Sequence, residues 1–418
     1  MLDFYINNRV LLFSKIKKQS IVLLFSNPKN FSVNSDFELN KNFYYLTGIS
    51  ENNVALLMVK DGNEKTETFL FLESPSLLKQ KWDGENLNIE KASKLTSIPR
   101  ENCLDINYLD GFLGNLLDNS RKTDLEYIQN VYLDFSMSHS NKTHLSLVKS
   151  HWLKRNYPYI CIYDIVNFFE ETRVIKTEKE IELIQKAVNT SKEVFHELMK
   201  MLKPDIYEFQ ISAFYDFFLA NRSLRSSFTN IVAAGKNATV LHYSKKNSLM
   251  KLNDLVLLDL GVNYQEYSSD VARCFPVSGK FSSIQKTIYN IVLDTNKKII
   301  DWLKPGLTFQ EMNQYGKNIL KTELVKNGFL KENESIEKYC YHGLGHYLGL
   351  DVHDVGFVHE PIPENSVITV EPGLYFEEFN LGIRIEDDVL ITKEKNIVLT
   401  NEIPKEIEEI EHLMQEQK

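Results

Sequence analysis

Asn253-Asp254-Leu255-Val256-Leu257-Leu258-Asp259-Leu260-Gly261 recurs 112 residues later as Asn365-Ser366-Val367-Ile368-Thr369-Val370-Glu371-Pro372-Gly373. Each stretch is an apolar run bounded by turn-forming residues, the pattern of a short buried strand, and each ends in a carboxylate. Each then leads to a second acid: Asp270 lies eleven residues beyond Asp259, and Glu386 fifteen beyond Glu371. Carboxylates are seldom buried unless they are paired or bound to metal, so four acids delivered by two matching strand units point to a metal centre.

Between the two units lies Tyr341-His342-Gly343-Leu344-Gly345-His346-Tyr347-Leu348-Gly349-Leu350-Asp351-Val352-His353-Asp354, and four of the ten histidines fall between His342 and His359. Imidazole beside several carboxylates is a metal-ligand set. His346 is the best candidate, because Gly343-Leu344-Gly345 lets backbone approach closely beside it. Taken singly, His342, His353 and the distant His242 read as core or surface histidines, and a lone Asp at a strand end reads as a turn former. The repetition decides against that for the acids. Alternation over Gly382-Ile383-Arg384-Ile385-Glu386 puts Arg384 and Glu386 on one face of a single strand, where a surface ion pair is the plainer reading. Four oxygen ligands and one nitrogen suit two divalent ions bridged by carboxylates. Oxygen-rich ligation without thiolate favours Mn²⁺, with Co²⁺, Fe²⁺ or Zn²⁺ as alternatives.

Working outward, Thr177-Glu178-Lys179-Glu180 is a capping box that opens an amphipathic helix running to Pro204, and a second such helix starts near Ser282 and ends at Pro305. Leu202-Lys203-Pro204 recurs as Leu303-Lys304-Pro305, an offset of 101, so an insertion of eleven residues reconciles the helix and strand repeats. The C-terminal part is therefore expected to be two similar halves about a pseudo-twofold axis, helices outside and strands inside. Before it, residues 21–26, 54–59, 68–73 and 131–135 read as strands of a mixed sheet, and 156–172 as the passage between domains. The expected architecture is α+β: a smaller mixed α/β domain over 1–160 and a catalytic domain over 173–418.

A chain of 418 residues exceeds the usual size of one hydrophobic core. The formal charge of -9 and the lack of a Lys/Arg cluster disfavour nucleic acid as a partner. Val10–Phe13 and Ile21–Phe25 are too short for a signal or spanning segment, which leaves no membrane partner and a cytoplasmic location as the expectation. Cys103, Cys161, Cys274 and Cys340 form no CxxC pair and read as reduced, buried packing residues. Asn42-Phe43-Tyr44-Tyr45-Leu46-Thr47-Gly48 and Trp82-Asp83-Gly84 read as core aromatic clusters.

The order Asp259, Asp270, His346, Glu371, Glu386, with HGLGHYLGLDVHD at 342–354 and VEPGLY at 370–375, resembles the pita-bread metallopeptidases. More narrowly it is similar to their Xaa-Pro branch, aminopeptidase P and prolidase, whose N-terminal domain is matched by NFYYLTG and WDG. The likeness runs from about residue 5 to residue 412. The resemblance implies that Asp259 binds one ion, that Asp270 and Glu386 bridge, and that His346 and Glu371 hold the other. It also implies that His242, His342 and His353 contact substrate or the developing oxyanion, that Arg384 supports the ligands, that Glu371 serves as base or proton shuttle, and that the chain forms a homodimer. One departure is Asn42, where relatives often carry Asp.

The resemblance implies an aminopeptidase acting on peptides with proline at the second position, with a dipeptide-only prolidase as the alternative. A non-catalytic peptide-binding module is the alternative from another class, and five intact ligands argue against it. Arg173, Arg222, Arg225 and Arg273 lie away from the ligand motifs in sequence, which leaves no spare cation to bind a dipeptide's carboxylate and favours the aminopeptidase.

Overall fold

Near-continuous runs of Val, Leu, Ile and Phe produce the central strands of the N-terminal unit, because a strand covered on both faces has no polar side to show. The computed structural model describes residues 1–26, 39–73, 81–82, 84, 87–118, 127–136 and 145–415. By contacts the chain divides into two units, Met1–Phe169 and Glu170–Lys418. The first is built on strands β1 (Ser20–Phe25), β2 (Ala55–Lys60), β3 (Thr66–Leu72), β4 (Cys103–Asp105), β5 (Asn130–Leu133) and β6 (Cys161–Asp164), in the order β4-β3-β2-β1-β5-β6. The pairs β1–β2 and β2–β3 are antiparallel, whereas β4, β5 and β6 join in parallel, so the sheet is mixed as expected. Its core includes Ile21, Leu23, Leu57, Phe71, Val131 and Leu133.

The NFYYLTG stretch forms the helix Lys41–Thr47, started by the Asn40 side chain accepting from the Phe43 N–H and ended by Gly48 at φ 69°. A left-handed stop of this kind favours glycine. Asn42 is buried and donates to Asp134 Oδ2 at 3.1 Å, and Asn40 donates to the same oxygen at 3.2 Å. A carboxylate at 42 would face Asp134, so the amide at this departure from the relatives belongs to the packing of this unit. The Trp82-Asp83-Gly84 motif does not join the core as expected: Trp82 is 81% exposed, and Asp83 lies outside the described residues. All four cysteines are free, and Cys161 departs from expectation by being exposed, at the start of β6 on the sheet edge.

In the second unit, each half opens with two helices. Glu178–Met201 and Glu208–Ala220 lead the first, Ser283–Trp302 and Phe309–Lys326 the second; capping boxes start three of them, and at Glu208–Ala220 only the Gln210 side chain accepts, from Tyr207 N at 2.8 Å. Part of the eleven-residue insertion lies in the second helix of the pair, 18 residues against 13. Strands then follow: β7 (Arg225–Ser226), β8 (Ile231–Ala234), β9 (Leu255–Leu260), β10 (Val262–Tyr264), β11 (Tyr267–Ser268) and β12 (Val271–Pro276) in the first half. The second half supplies β13 (Val367–Val370), β14 (Gly373–Phe376), β15 (Leu381–Arg384), β16 (Asp387–Leu390) and β17 (Ile397–Val398). The antiparallel pair β9–β12 is matched by β13–β16. One core joins the halves: Val194, Leu198, Leu257, Phe275, Val292, Ile299, Ile368 and Ile383 are all buried in it. Each such side chain contributes roughly 1.5–3 kcal/mol when removed from water. No helix among the described residues is long and apolar enough to cross a membrane.

Candidate metal centre

An antiparallel hairpin returns its second strand to the place where the first ended, so an acid at the end of one strand meets an acid at the start of the next. In the first half Asp259 sits within β9 opposite Ala272, and Asp270 directly precedes β12. In the second half Val370 pairs with Asp387, which sets Glu371 and Glu386 just past the end of the ladder. Arg384 and Glu386 do not share one strand, as alternation suggested. Arg384 ends β15, Ile385 and Glu386 form the break, and β16 begins at Asp387, because Ile385 and Glu386 bond instead to Pro372 and Ala272 through their backbone N–H groups.

His346 is brought in by the segment Leu344–His346, which runs beside β13: Glu371 N donates to Leu344 O at 2.9 Å and Thr369 N to His346 O at 2.9 Å. Gly345 permits this approach, since a Cβ there would lie 2.1 Å from Thr369 O, whereas a Cβ on Gly343 would come no closer than 3.9 Å to its nearest contact, Asn313. His346 Nδ1 lies 2.9 Å from Tyr347 O and donates to it, which leaves Nε2 to face Asp270 Oδ2 at 3.5 Å and Glu371 Oε1 at 3.9 Å. Donor atoms of Asp270, His346 and Glu386 all lie within 4.8 Å of one another.

Burial dominates the electrostatics. It pushes Asp270 up to about 6, aided by the charge of Asp259, and Glu371 up to about 7, with His346 and Arg384 pulling the other way. Glu386 is raised well above the carboxylate range by burial and by Asp270 and Glu371. Burial opposes a charge on His346, yet its contact with Asp270 and the nearby Glu371 raise it to about 9. Carboxylates crowded out of water in this way call for positive charge. Among the described residues, the buried Oδ1 of Asp259 has no hydrogen-bond partner, while Oδ2 accepts from Arg384. An unpartnered oxygen on the edge of a cluster of acids and an oriented imidazole fits a divalent cation.

The other histidines are placed unequally. His342 is oriented by donating through Nδ1 to Gly343 O at 2.6 Å and accepting at Nε2 from the Tyr375 hydroxyl at 2.8 Å, and its Nδ1 lies 3.8 Å from Glu371. Burial pushes His342 down to about 4, so it is neutral. Tyr375 in turn accepts from Arg384 Nη1 at 2.9 Å. The ring of His353 lies 4.2 Å from that of His346, and burial lowers its pKa. His242 is exposed on a loop anchored at Tyr243, whose hydroxyl donates to Glu208 at 2.8 Å; the buried Glu208 also accepts from Ala234 N, Asn237 and Ser248 N.

Two arginines read as remote are not. Arg273 is fully buried behind the site, donating to Glu386 O at 2.5 Å and to Asp387 Oδ1 at 2.7 Å. Arg173 pairs with Asp351 and Asp354 on either side of His353. Arg222 and Arg225 instead make ion pairs with Glu193 and Glu266. Sequence reading also missed Tyr375 and Asn296; an arginine inside the apolar run Val271-Ala272-Arg273-Cys274-Phe275 was the available signal, since buried charge needs a partner.

The metallopeptidase family M24 matches residues 182–393, and the aminopeptidase P N-terminal domain matches residues 5–125. The Xaa-Pro aminopeptidase of Haemophilus influenzae is 32% identical over 97% of this chain and 96% of its own length. A solved Bacillus anthracis chain assigned to aminopeptidase P superposes with TM-score 0.94 at 37% identity, covering 100% of this chain and 99% of that one. Escherichia coli aminopeptidase P with the inhibitor Pro-Leu superposes with TM-score 0.89 at 28% identity, again over 100% and 99%. Both domains, the full-length likeness and the acid-and-imidazole cluster agree, and the chain belongs to metallopeptidase family M24, in its Xaa-Pro aminopeptidase branch.

Proposed function

We propose that this chain removes the N-terminal residue from peptides with proline at the second position, with two divalent ions held by Asp259, Asp270, His346, Glu371 and Glu386. With two ions present, Asp270 and Glu386 would serve both, Asp259 one, and His346 and Glu371 the other. Mn²⁺ is the assigned ion, with Co²⁺, Fe²⁺ or Zn²⁺ as alternatives. The observation that carries this reading is the Asp270–His346–Glu386 donor cluster in a chain similar over its length to Xaa-Pro aminopeptidases.

When bound, the ions supply a Lewis acid for the scissile carbonyl and lower the pKa of the attacking water. Glu371 takes the water's proton and passes it to the proline nitrogen, which leaves only once protonated. His353 and His242 stabilise the oxyanion, and donors already in place there cost no reorganisation. Neutral His342 is held by Tyr375 and Arg384, so its ring meets substrate in one orientation. The reading extends to a cytoplasmic homodimer acting on peptides, without a membrane or nucleic-acid partner; the formal charge of -9 supports the last point.

The test is metal-free protein reconstituted separately with each ion, assayed on Xaa-Pro-Yaa-Yaa and on Xaa-Pro dipeptides while bound metal is counted. Two ions per chain and preferred cleavage of the longer peptide are expected. Much higher kcat/KM on dipeptides would make the chain a prolidase, and full turnover without metal would overturn the reading.

A further inference from the structure

His353 sits between two carboxylates that reach the same guanidinium. Arg173 Nη2 donates to Asp351 Oδ2 at 2.7 Å and to Asp354 Oδ1 at 2.5 Å, and Lys176 Nζ donates to Asp354 Oδ2 at 2.9 Å. The side chains of Arg173, Lys176 and Asp354 are 3%, 1% and 1% exposed, that of Asp351 40%. Backbone bonds close the same loop: Asp354 N donates to Tyr347 O at 2.9 Å and Gly349 N to Asp351 O at 3.0 Å, while Lys176 N donates to Asn365 O at 2.8 Å. Residues 351–354 adopt neither helix nor strand. The direction of the His353 ring, tilted 55° to that of His346, therefore depends on how its two neighbours are tied down.

Buried charges are a poor source of stability, because removing them from water offsets most of their attraction. Their geometry is another matter. Both carboxylates bond one guanidinium nitrogen, Arg173 Nη2, and the rigid plane that carries it fixes their separation better than an ammonium on a flexible stem would.

We propose that Arg173, in the segment preceding the helix Glu178–Met201, and its carboxylate partners Asp351 and Asp354 are positioning residues that aim the His353 imidazole at the reacting carbonyl, touching neither substrate nor metal. The assignment rests on the reading of His353 as a substrate-facing group. It predicts that loosening the tie slows the chemical step and leaves ground-state binding nearly alone, since misplacement by a fraction of an ångström acts mainly in the transition state.

The test is a double-mutant cycle on the full Mn²⁺-loaded chain, with kcat and KM for Xaa-Pro-Yaa-Yaa, bound metal and Tm measured for each variant. Arg173→Lys keeps the charge and loses the rigid plane that carries Nη2; it is expected to lower kcat by ~10-fold with KM and metal content unchanged. Asp351→Asn, at the partly exposed end, is expected to lower kcat by ~3-fold and carries the same cycle should Arg173→Lys fail to fold. In the His353→Ala background both effects should shrink to less than ~2-fold. Effects that persist undiminished in that background, or an Arg173→Lys enzyme with wild-type kcat, would overturn the positioning role. A His353→Ala enzyme with wild-type kcat would instead overturn the reading of His353, and the positioning role with it.

Discussion

The two halves of the catalytic unit build the same hairpin and hold its acids by different means. Asp259 lies inside the β9 ladder, and its carboxylate is gripped directly by Arg384. Glu371 and Glu386 lie just beyond the β13–β16 ladder, and there the grips fall on backbone: Asn296 Nδ2 donates to Val370 O at 3.0 Å and Ile385 O at 3.5 Å, the carbonyls preceding each Glu, and Arg273 donates to Glu386 O. A glutamate has one more rotatable bond than an aspartate, so fixing its backbone leaves it the reach to settle on an ion. The grips also cross between halves. Arg384 of the second half holds Asp259 of the first, and Arg273 of the first holds Glu386 of the second, so neither pair of acids is set until both halves have packed.

The strongest way to break this comparison is to remove one central acid from each half. Asp270→Ala and Glu386→Ala are both expected to abolish measurable turnover and to reduce bound metal below two ions, with far-UV circular dichroism unchanged because the strands remain packed. A variant that keeps two ions and full activity would refute the bridging assignment. Next in size come the groups assigned to substrate. His353→Ala and His242→Ala are each expected to slow kcat by ~10²–10³-fold with metal content intact. Loss of metal from either would move that histidine into the ligand set.

What the sequence made legible follows the same division. The strand units, their acids and the helix starts at Thr177 and Ser282 could be read because each depends on neighbours a few residues away. The glycine beside His346 was legible too, although only Gly345 makes the close approach. The grips were not legible. Arg273 meets Glu386 at a separation of 113 residues, Asn296 meets Val370 at 74, and Arg173 meets Asp354 at 181. No local period encodes such contacts, and position along the chain made Arg173 and Arg273 look idle. The break at Ile385 and Glu386 was hidden for another reason: alternation reports which face a residue occupies and is blind to a change of strand partner.

The grips themselves should rank by charge. Asp387 is fully buried, and although burial opposes its charge, Arg273 and Lys405 hold its pKa well below the usual carboxylate range. A depressed folded pKa gives stability that is present above the ordinary aspartate value and is lost as pH falls through about 4 and below. Asp387→Asn leaves two buried cations short of a partner and should cost about 3–5 kcal/mol at pH 7, a difference that narrows in acid. Asn296→Ala removes neutral hydrogen bonds and should cost about 1–3 kcal/mol, with weakened metal binding by titration calorimetry. If Asn296→Ala leaves metal affinity unchanged, backbone clasping does not set the Glu half.

Asp388, the next residue on β16, gives the smallest effect, and one of opposite sign. Its Oδ2 accepts from Asp270 N at 3.2 Å, no cation pairs with it among the described residues, and burial together with the charge of Asp270 raises its pKa well above the usual range. In the metal-free protein burial therefore favours its protonated form at pH values where the unfolded chain, with its ordinary value near about 4, is already ionised. A raised folded pKa means that folding takes up a proton, so stability falls as pH rises above that unfolded value. Asn offers the same carbonyl oxygen to Asp270 without that proton, its NH2 taking the place of Oδ1, which has no hydrogen-bond partner among the described residues and so keeps any gain small. Asp388→Asn should therefore leave the metal-free Tm unchanged near pH 4 and raise it modestly at pH 7, by differential scanning calorimetry at both. A lower Tm at pH 7 would mean that Asp388 is ionised in the fold, and that the contrast between neighbours on β16 is one of position alone.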